Sequence, residues 1–264
     1  MNLDLKDKVA LVTGSTAGIG LAIVEALASE GAEVIVNGRS KERVDAAIAA
    51  VRRKQPDAKL RGAAIDLGTS EGVSALIQSI PRVDILVNNL GIFEAKPFEA
   101  IADAEWMRFF DVNVMSGVRL SRHYLQGMRE TNWGRIVFIS SESGVQIPVE
   151  MIHYGVTKTA QIALSRGIAE SLSGTNITSN CVLPGPTRTE GVEDFLKGLA
   201  KQQGVDQASV EREFFKSARP SSLIQRFAEP AEVAALVTFV CSPQSSGING
   251  SALRVDGGVV RAIP

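Results

Sequence analysis

The sequence predicts an α/β fold: a doubly wound parallel sheet of about seven strands with helices on both faces, forming a single domain over residues 1–264. Three observations predict it. Short β-branched runs alternate with helical patterns from end to end, the rhythm of right-handed βαβ units. The run "VDILVNN" (Val83–Asn89) is almost wholly apolar before its two amides, as a strand covered on both faces must be. No linker, repeat or low-complexity stretch divides the chain.

The elements follow in order. "KVALVTG" (Lys8–Gly14) is a strand running into glycine-rich sequence, and residues from Gly18 to Glu30 are helical, with Ile19, Ile23 and Leu27 on one face and Gly31 as a stop. "EVIVNG" is the second strand. Ser40 can cap the helix "KERVDAAIAAVRRK", which Pro56 limits. "LRGAAID" is the third strand, and Thr69 can cap the next helix. After the fourth strand at Val83–Asn89 comes a long helix from about Asp103 to Arg129. "GRIVFIS" (Gly134–Ser140), a helix from Met151 to Leu172, "NITSNCVLPG" and "GSALRVDGG" complete the series. The segment 186–222 breaks the rhythm. It is a mixed insertion whose helical fragment Val192–Ala200 favours a lid over the substrate.

At 45% hydrophobic and 22% charged residues the composition is that of an ordinary globular protein with a substantial core. A net charge of −1 offers no basic face for nucleic acid or for an anionic membrane. No apolar run reaches spanning length, and the N-terminus lacks the parts of a signal peptide, so the expected location is the cytoplasm. The two cysteines, Cys181 and Cys241, read as buried free thiols, and nothing near them has metal-ligand spacing.

Ligands of open parallel sheets bind beyond the carboxyl ends of the strands. After the first strand stands "TGSTAGIG". Gly14, Gly18 and Gly20 let the backbone approach a ligand, and the helix that follows aims its first amides at a phosphate. After the second, Gly38 occupies the neighbourhood where an NAD site holds an acid, and Arg39 suits a 2′-phosphate through charge-assisted bonds. After the third, Asp66 either accepts from an adenine amino group or caps the following helix. After the fourth, "NNLG" places two amides that are costly unless they bond to something specific. The fifth strand ends in "SSESG", and Tyr154 stands thirteen residues beyond Ser141. The sixth is followed by "PGPTRT", a rigid turn whose two hydroxyls could hold a carboxamide. Tyr154 and Lys158 are four apart, hence on one helix face. Alone, such a pair is commonly a half-exposed packing pair.

"TGSTAGIG", "NNLG", Asn113, Ser141, "YGVTK" and "PGPTRT" together resemble, in order and spacing, the short-chain dehydrogenase/reductases (SDRs), in the style of the 3-oxoacyl-carrier-protein reductases. The resemblance covers the chain to the closing "LRVDGG". It implies a Rossmann-type fold and a catalytic tetrad of Asn113, Ser141, Tyr154 and Lys158. The nicotinamide dinucleotide would be held by Gly14, Ser15, Thr16, Gly18, Ile19, Gly20, Arg39, Asp66, Leu67, Asn89, Gly91, Tyr154, Lys158, Pro184, Gly185, Thr187 and Thr189. NADP(H) is favoured through Arg39, with NAD(H) possible, since Ala17 stands where a basic residue is common in NADPH users. Leu90 replaces a usual alanine, and neither Glu142 nor His153 is explained by the resemblance.

The implied chemistry is reduction of a ketone, or a 3-oxoacyl thioester, to a secondary alcohol. A phenol with a pKa near 10 needs roughly 4 kcal/mol of anion stabilisation to give its proton near neutrality, and the Lys158 ammonium supplies part of it. Ser141 would steady the developing charge. Asn113 would hold a water linking Lys158 to solvent. The insertion, "VQIPVEMIH" and "IFEAKPF" would choose the substrate. Their apolar Phe93, Phe98, Val145, Ile147, Val149 and Met151 fit an uncharged carbonyl better than a polyanion. Arg122, Arg129 and Arg135 are the nearest candidates for a basic docking face. NAD-dependent oxidation of a secondary alcohol (a sugar, a steroid or another small alcohol) is the alternative enzyme, and a non-catalytic cofactor-binding protein is the third reading. The resemblance also implies a homotetramer, or a homodimer, whose interface uses the helices at 103–129 and 151–172.

Overall fold

The computed structural model describes residues 2–263. Seven strands form one sheet: β1 (Val9–Val12), β2 (Glu33–Gly38), β3 (Leu60–Ala64), β4 (Ile85–Asn88), β5 (Gly134–Ile139), β6 (Ile177–Pro184) and β7 (Ala252–Val255). Their order is β3-β2-β1-β4-β5-β6-β7, and every neighbouring pair is parallel. The order reverses between β1 and β4, so the crevice between their carboxyl ends is the binding position that this topology creates.

Alternate residues of the central strands enter opposite cores. Ala10, Val12, Val34, Val36, Ile85 and Val87 pack on one face, while Leu11, Ile35 and Leu86 pack on the other. That double burial is why these strands read as continuous apolar runs. Each of the valines, leucines and isoleucines contributes about 1.5–3 kcal/mol over an exposed one. On the first face lie α1 (Gly18–Ser29), α2 (Lys41–Lys54) and α9 (Pro230–Val240), with Val24 and Leu27 against Val233 and Val237. On the second lie α3 (Ser70–Ser79), α5 (Ser116–Thr131) and α6 (Ile152–Glu170), around Leu76, Leu120, Tyr124 and Ile162. Cys181 and Cys241 are free and buried in different cores, Cys181 in the second and Cys241 in the first.

Local signals set the helix limits. Gly31, at φ +86°, turns the chain after α1, and Ser40 and Thr69 cap α2 and α3 by accepting from Arg43 N and Gly72 N. Several strands are shorter than their apolar runs, because Thr13, Gly14 and Ile65–Asp66 have already left the ladder for the ligand edge. The expected long helix is α4 (Asp103–Phe110), one wide π turn (Asp111–Met115) and α5. A π turn takes a main-chain carbonyl out of the ordinary helical ladder, and Asn113 lies at its centre.

The 186–222 segment holds two helices, α7 (Glu190–Gln203) and α8 (Gln207–Ser217). Leu196, Val210, Phe215 and Phe227 give it a small core of its own. Arg188 ties it together, donating to Glu193 at 2.6 Å and to both oxygens of Glu211 at 2.8 and 2.7 Å.

Candidate functional site

The glycine turn after β1 is built from its neighbours. The Thr13 hydroxyl accepts from Asn89 N and Leu90 N, both at 2.9 Å, and Asn89 Nδ2 donates back to the Thr13 and Gly14 carbonyls at 2.9 and 3.0 Å. Asn37, at the end of β2, accepts from Gly14 N through its Oδ1 at 3.1 Å and donates to Ala63 O and Ile65 O, both at 3.0 Å. Gly14 and Gly18 sit at φ +60° and +55°, where only glycine is unstrained. A Cβ at Gly20 would lie 2.5 Å from Asn89 Nδ2 and 2.7 Å from Gly14 O.

These residues fit a dinucleotide phosphate. The first turn of α1 has no side-chain cap and no acid, so its leading amides are left for an anion. Thr189 closes over the same turn: its Cγ2 would be 3.1 Å from a Cβ at Gly18. The Ser15 side chain is otherwise engaged. It is buried, donates to Val12 O at 2.7 Å and accepts from Asn37 N at 3.0 Å. Thr16 and Ile19 are half-buried, and Ile19 packs on the first core. Leu67 points into the second core, so only its main chain faces the edge. Asp66 is exposed and accepts from Gly68 N at 2.9 Å, while the cap of α3 is Thr69.

At the end of β2, a Cβ on Gly38 would lie 2.4 Å from Thr16 Cγ2. An acidic side chain has no room there while Thr16 keeps its place. Arg39, the next residue, is exposed.

The four expected catalytic residues converge from three elements. Ser141 ends β5 and caps the short turn Glu142–Gly144, with Ser143 N donating to its hydroxyl at 3.1 Å. Tyr154 and Lys158 lie on α6, with Lys158 Nζ 5.5 Å from the Tyr154 ring centre. A Cβ on Gly91, after β4, would be 3.4 Å from Lys158 Nζ and 3.6 Å from Asn113 Oδ1. Lys158 Nζ donates to Ile139 O at 2.8 Å, and burial lowers its pKa to about 8. Burial also pushes the Tyr154 phenol well above its ordinary value.

The Asn113 side chain is buried beside Gly91. It is spent on Ile92 N and O, at 2.8 and 3.0 Å, and on the Thr157 hydroxyl at 2.9 Å. Its main-chain carbonyl accepts from Gln161 Nε2 at 2.5 Å, and Gln161 Oε1 accepts from Lys158 Nζ at 3.3 Å. On the β6 side, Pro184 ends the strand, and a Cβ on Gly185 would collide with Asp256 O at 2.6 Å. Thr187 Oγ1 donates to Gly185 O at 2.9 Å and retains lone pairs to accept.

Glu142, unexplained by the resemblance, and Arg219 also enter the site. Glu142 is buried; Ser141 donates to its carboxylate, and Arg219, from the insertion, donates Nε to Glu142 Oε1 at 3.1 Å. The only sequence sign was an acid inside an otherwise small and neutral loop. His153 faces away from the site, its ring centroid 3.9 Å from that of Phe109 and 6.0 Å from that of Trp106, and burial lowers its pKa. Arg135 leaves the set of docking candidates. It is buried and donates to the carbonyls of Ser242, Gly134 and Asn176 at the far end of the sheet. Of the apolar lip, Phe93, Phe98, Val145, Ile147 and Val149 are exposed, and Phe93 meets the Tyr154 ring edge-on at 6.3 Å. No helix among the described residues is long and apolar enough to cross a membrane.

Comparison with known proteins gives concordant matches. The family described as "short chain dehydrogenase" matches residues 8–199. The "Uncharacterized oxidoreductase YvaG" of Bacillus subtilis is 52% identical over 263 residues, covering 100% of both chains. The "3-oxoacyl-[acyl-carrier-protein] reductase FabG" of Aquifex aeolicus is 35% identical over 98% of this chain and 100% of its own. Among solved structures, L-sorbose reductase from Gluconobacter frateurii, complexed with NADPH and L-sorbose, superposes with a TM-score of 0.93 at 33% identity, covering 100% of both chains.

Proposed function

This chain belongs to the short chain dehydrogenase family of NAD(P)-dependent oxidoreductases, and on that premise we propose that it reduces a ketone to a secondary alcohol, with NADPH supplying the hydride. The observation that carries the reading is the convergence of Ser141, Tyr154 and Lys158 beside Gly91, at the strand edge that also bears the glycine turn. Support for NADPH over NADH comes from Gly38, which places no acid at the end of β2, with Arg39 following it. The NADPH complex of the L-sorbose reductase points the same way.

The amides of the Gly14–Gly20 turn would take the pyrophosphate, Arg39 the 2′-phosphate and Asp66 the adenine edge. Thr187 and Thr189 would orient the carboxamide, and Lys158 would reach the nicotinamide ribose. With the carbonyl carbon facing the donor, Ser141 hydrogen-bonds the carbonyl oxygen and Tyr154 Oη gives its proton to the alkoxide as it forms. The nearby Lys158 ammonium lowers the cost of the phenolate left behind. The insertion bearing α7 and α8 acts as a lid, and the exposed Phe93, Val145, Ile147 and Val149 favour an uncharged ketone. The two-helix face formed by α5 and α6 would build a homotetramer, which light scattering of the purified protein measures.

The test of the function is a panel of sugar, aliphatic and aryl ketones and 3-oxoacyl thioesters, followed by loss of NADPH absorbance with NADH in parallel. Turnover of ketones with NADPH is expected. Turnover confined to alcohol oxidation with NAD, or none on any member, would overturn the reading.

A further inference from the structure

The carboxylate directly after Ser141 is hydrogen-bonded by an arginine of the insertion. Ser141 Oγ donates to Glu142 Oε2, and Ser143 N donates to the same oxygen at 2.9 Å. The other oxygen, Oε1, receives Arg219 Nε at 3.1 Å. Both side chains are nearly buried, with 7% of the Glu142 side chain and 11% of that of Arg219 exposed. Arg219 is itself held in place. It follows α8, its Nη1 donates to Ala218 O at 2.8 Å and lies 3.5 Å from Glu150 Oε1, and its guanidinium is 5.9 Å from the Phe214 ring. A residue 77 positions away therefore meets the residue next to the serine.

We propose that Arg219 is a positioning residue for carbonyl reduction: by holding Glu142 it frees the Ser141 hydroxyl for the substrate and balances the carboxylate's charge beside Tyr154. The inference rests on the roles given above to Ser141 and Tyr154. The serine proton has two competing acceptors, Glu142 Oε2 and the substrate oxygen. A carboxylate that already accepts from a guanidinium and an amide is the weaker competitor, so the growing alkoxide takes the proton's hydrogen bond. A carboxylate without its guanidinium would hold the serine and oppose negative charge on the neighbouring phenol. The charges that act on Tyr154 are Glu142 from the turn after β5, Arg219 from the insertion and Lys158 on its own helix, with Glu150 reached through Arg219. Glu142 raises the Tyr154 pKa and Arg219 lowers it, so their effects oppose. Docking of the insertion thus completes the serine's surroundings.

The experiment compares Arg219→Met, Arg219→Lys, Glu142→Gln and the Glu142→Gln/Arg219→Met double variant with the wild type, as NADPH-dependent reduction against pH. Activity falls at alkaline pH as Tyr154 loses its proton. Arg219→Met should move that limb up by about one pH unit and lower kcat about tenfold, with the KM for NADPH unchanged. Glu142→Gln should move it down, while the double variant and Arg219→Lys should return it close to the wild-type position. A merely structural role would lower activity without moving the limb. Superimposable limbs in all variants, or a shift of both single variants in one direction, overturn the proposal. Should Arg219→Met fail to fold, Arg219→Gln takes its place, with the same upward shift expected and an unmoved limb overturning the proposal. Tyr154→Phe in the same series separates the two levels. An active Tyr154→Phe removes the underlying reading and this inference with it, whereas an inactive one with unmoved limbs overturns the role of Arg219 only.

Discussion

Gln161 joins Lys158 to Asn113 through one carboxamide: its oxygen accepts from Lys158 Nζ at 3.3 Å, and its nitrogen donates to the Asn113 carbonyl at 2.5 Å. Both ends are buried. In Gln161→Leu the Asn113 carbonyl loses this donor and Lys158 loses one of its two acceptors. An unsatisfied buried polar group costs about 1–3 kcal/mol, so the melting temperature should fall by roughly 2–10 °C. Thermal melts of the two proteins measure it, and an unchanged midpoint would remove the structural importance of the bridge.

Tyr154→Phe should abolish ketone reduction while NADPH still binds. The ring keeps its edge contact with Phe93 and its place near Lys158, and only the proton donor is lost. Turnover should drop at least 10²-fold, the lower end of what a positioned acid provides. Fluorescence titration of NADPH checks binding, and turnover above a few per cent of wild type refutes the role.

Arg39→Asp should reverse cofactor preference. Loss of a charge-assisted bond to a phosphate costs about 1.5–3 kcal/mol, or roughly ten- to hundredfold in kcat/KM for NADPH, before any repulsion. Efficiency with NADH should rise, because the new acid can accept from ribose hydroxyls. Parallel kinetics with both cofactors decide, and an unchanged ratio counts against Arg39.

Lys158→Met should stabilise the protein near neutral pH while destroying its activity. Burial lowers the Lys158 pKa from 10.5 to about 8, so between those values the unfolded chain binds more protons than the folded one. Stability from this group therefore rises with pH across that window and is fully penalised below it. The penalty is of order 3 kcal/mol at pH 7. Buried Cys181 and Cys241, raised to about 12, act in the opposite sense above pH 9, so the informative quantity is the difference between variant and wild type. Urea unfolding at pH 7 and pH 10.5 should show a gap that closes as pH rises. A constant gap would mean that Lys158 is not desolvated.

The sheet was legible because its central strands are buried on both faces, which forces continuous apolar runs that no surface element needs. The Tyr154–Lys158 pair was legible for a related reason: a fixed spacing on one helix is a statement about geometry. What escaped were partnerships that sequence distance hides. Asn37 braces the glycine turn from the neighbouring strand, and Arg219 meets Glu142 from 77 residues away. The π turn at Asp111–Met115 was equally hidden, since its residues fit an ordinary helix and its bond to Gln161 comes from a helix distant in sequence. The resemblance names Ser15 and Leu67 as cofactor contacts, and because their side chains are committed inward, only their main chain is left for that part.

The packing of α1 against α9 also has a consequence during synthesis. Val24 and Leu27 emerge from the ribosome more than two hundred residues before Val233 and Val237, the side chains that cover them. Until then one flank of the nascent sheet stays bare, an exposed apolar surface of the kind that chaperones shield. Native closure is therefore a late, long-range event, and a chain stopped before residue 230 would leave that flank open to aggregation.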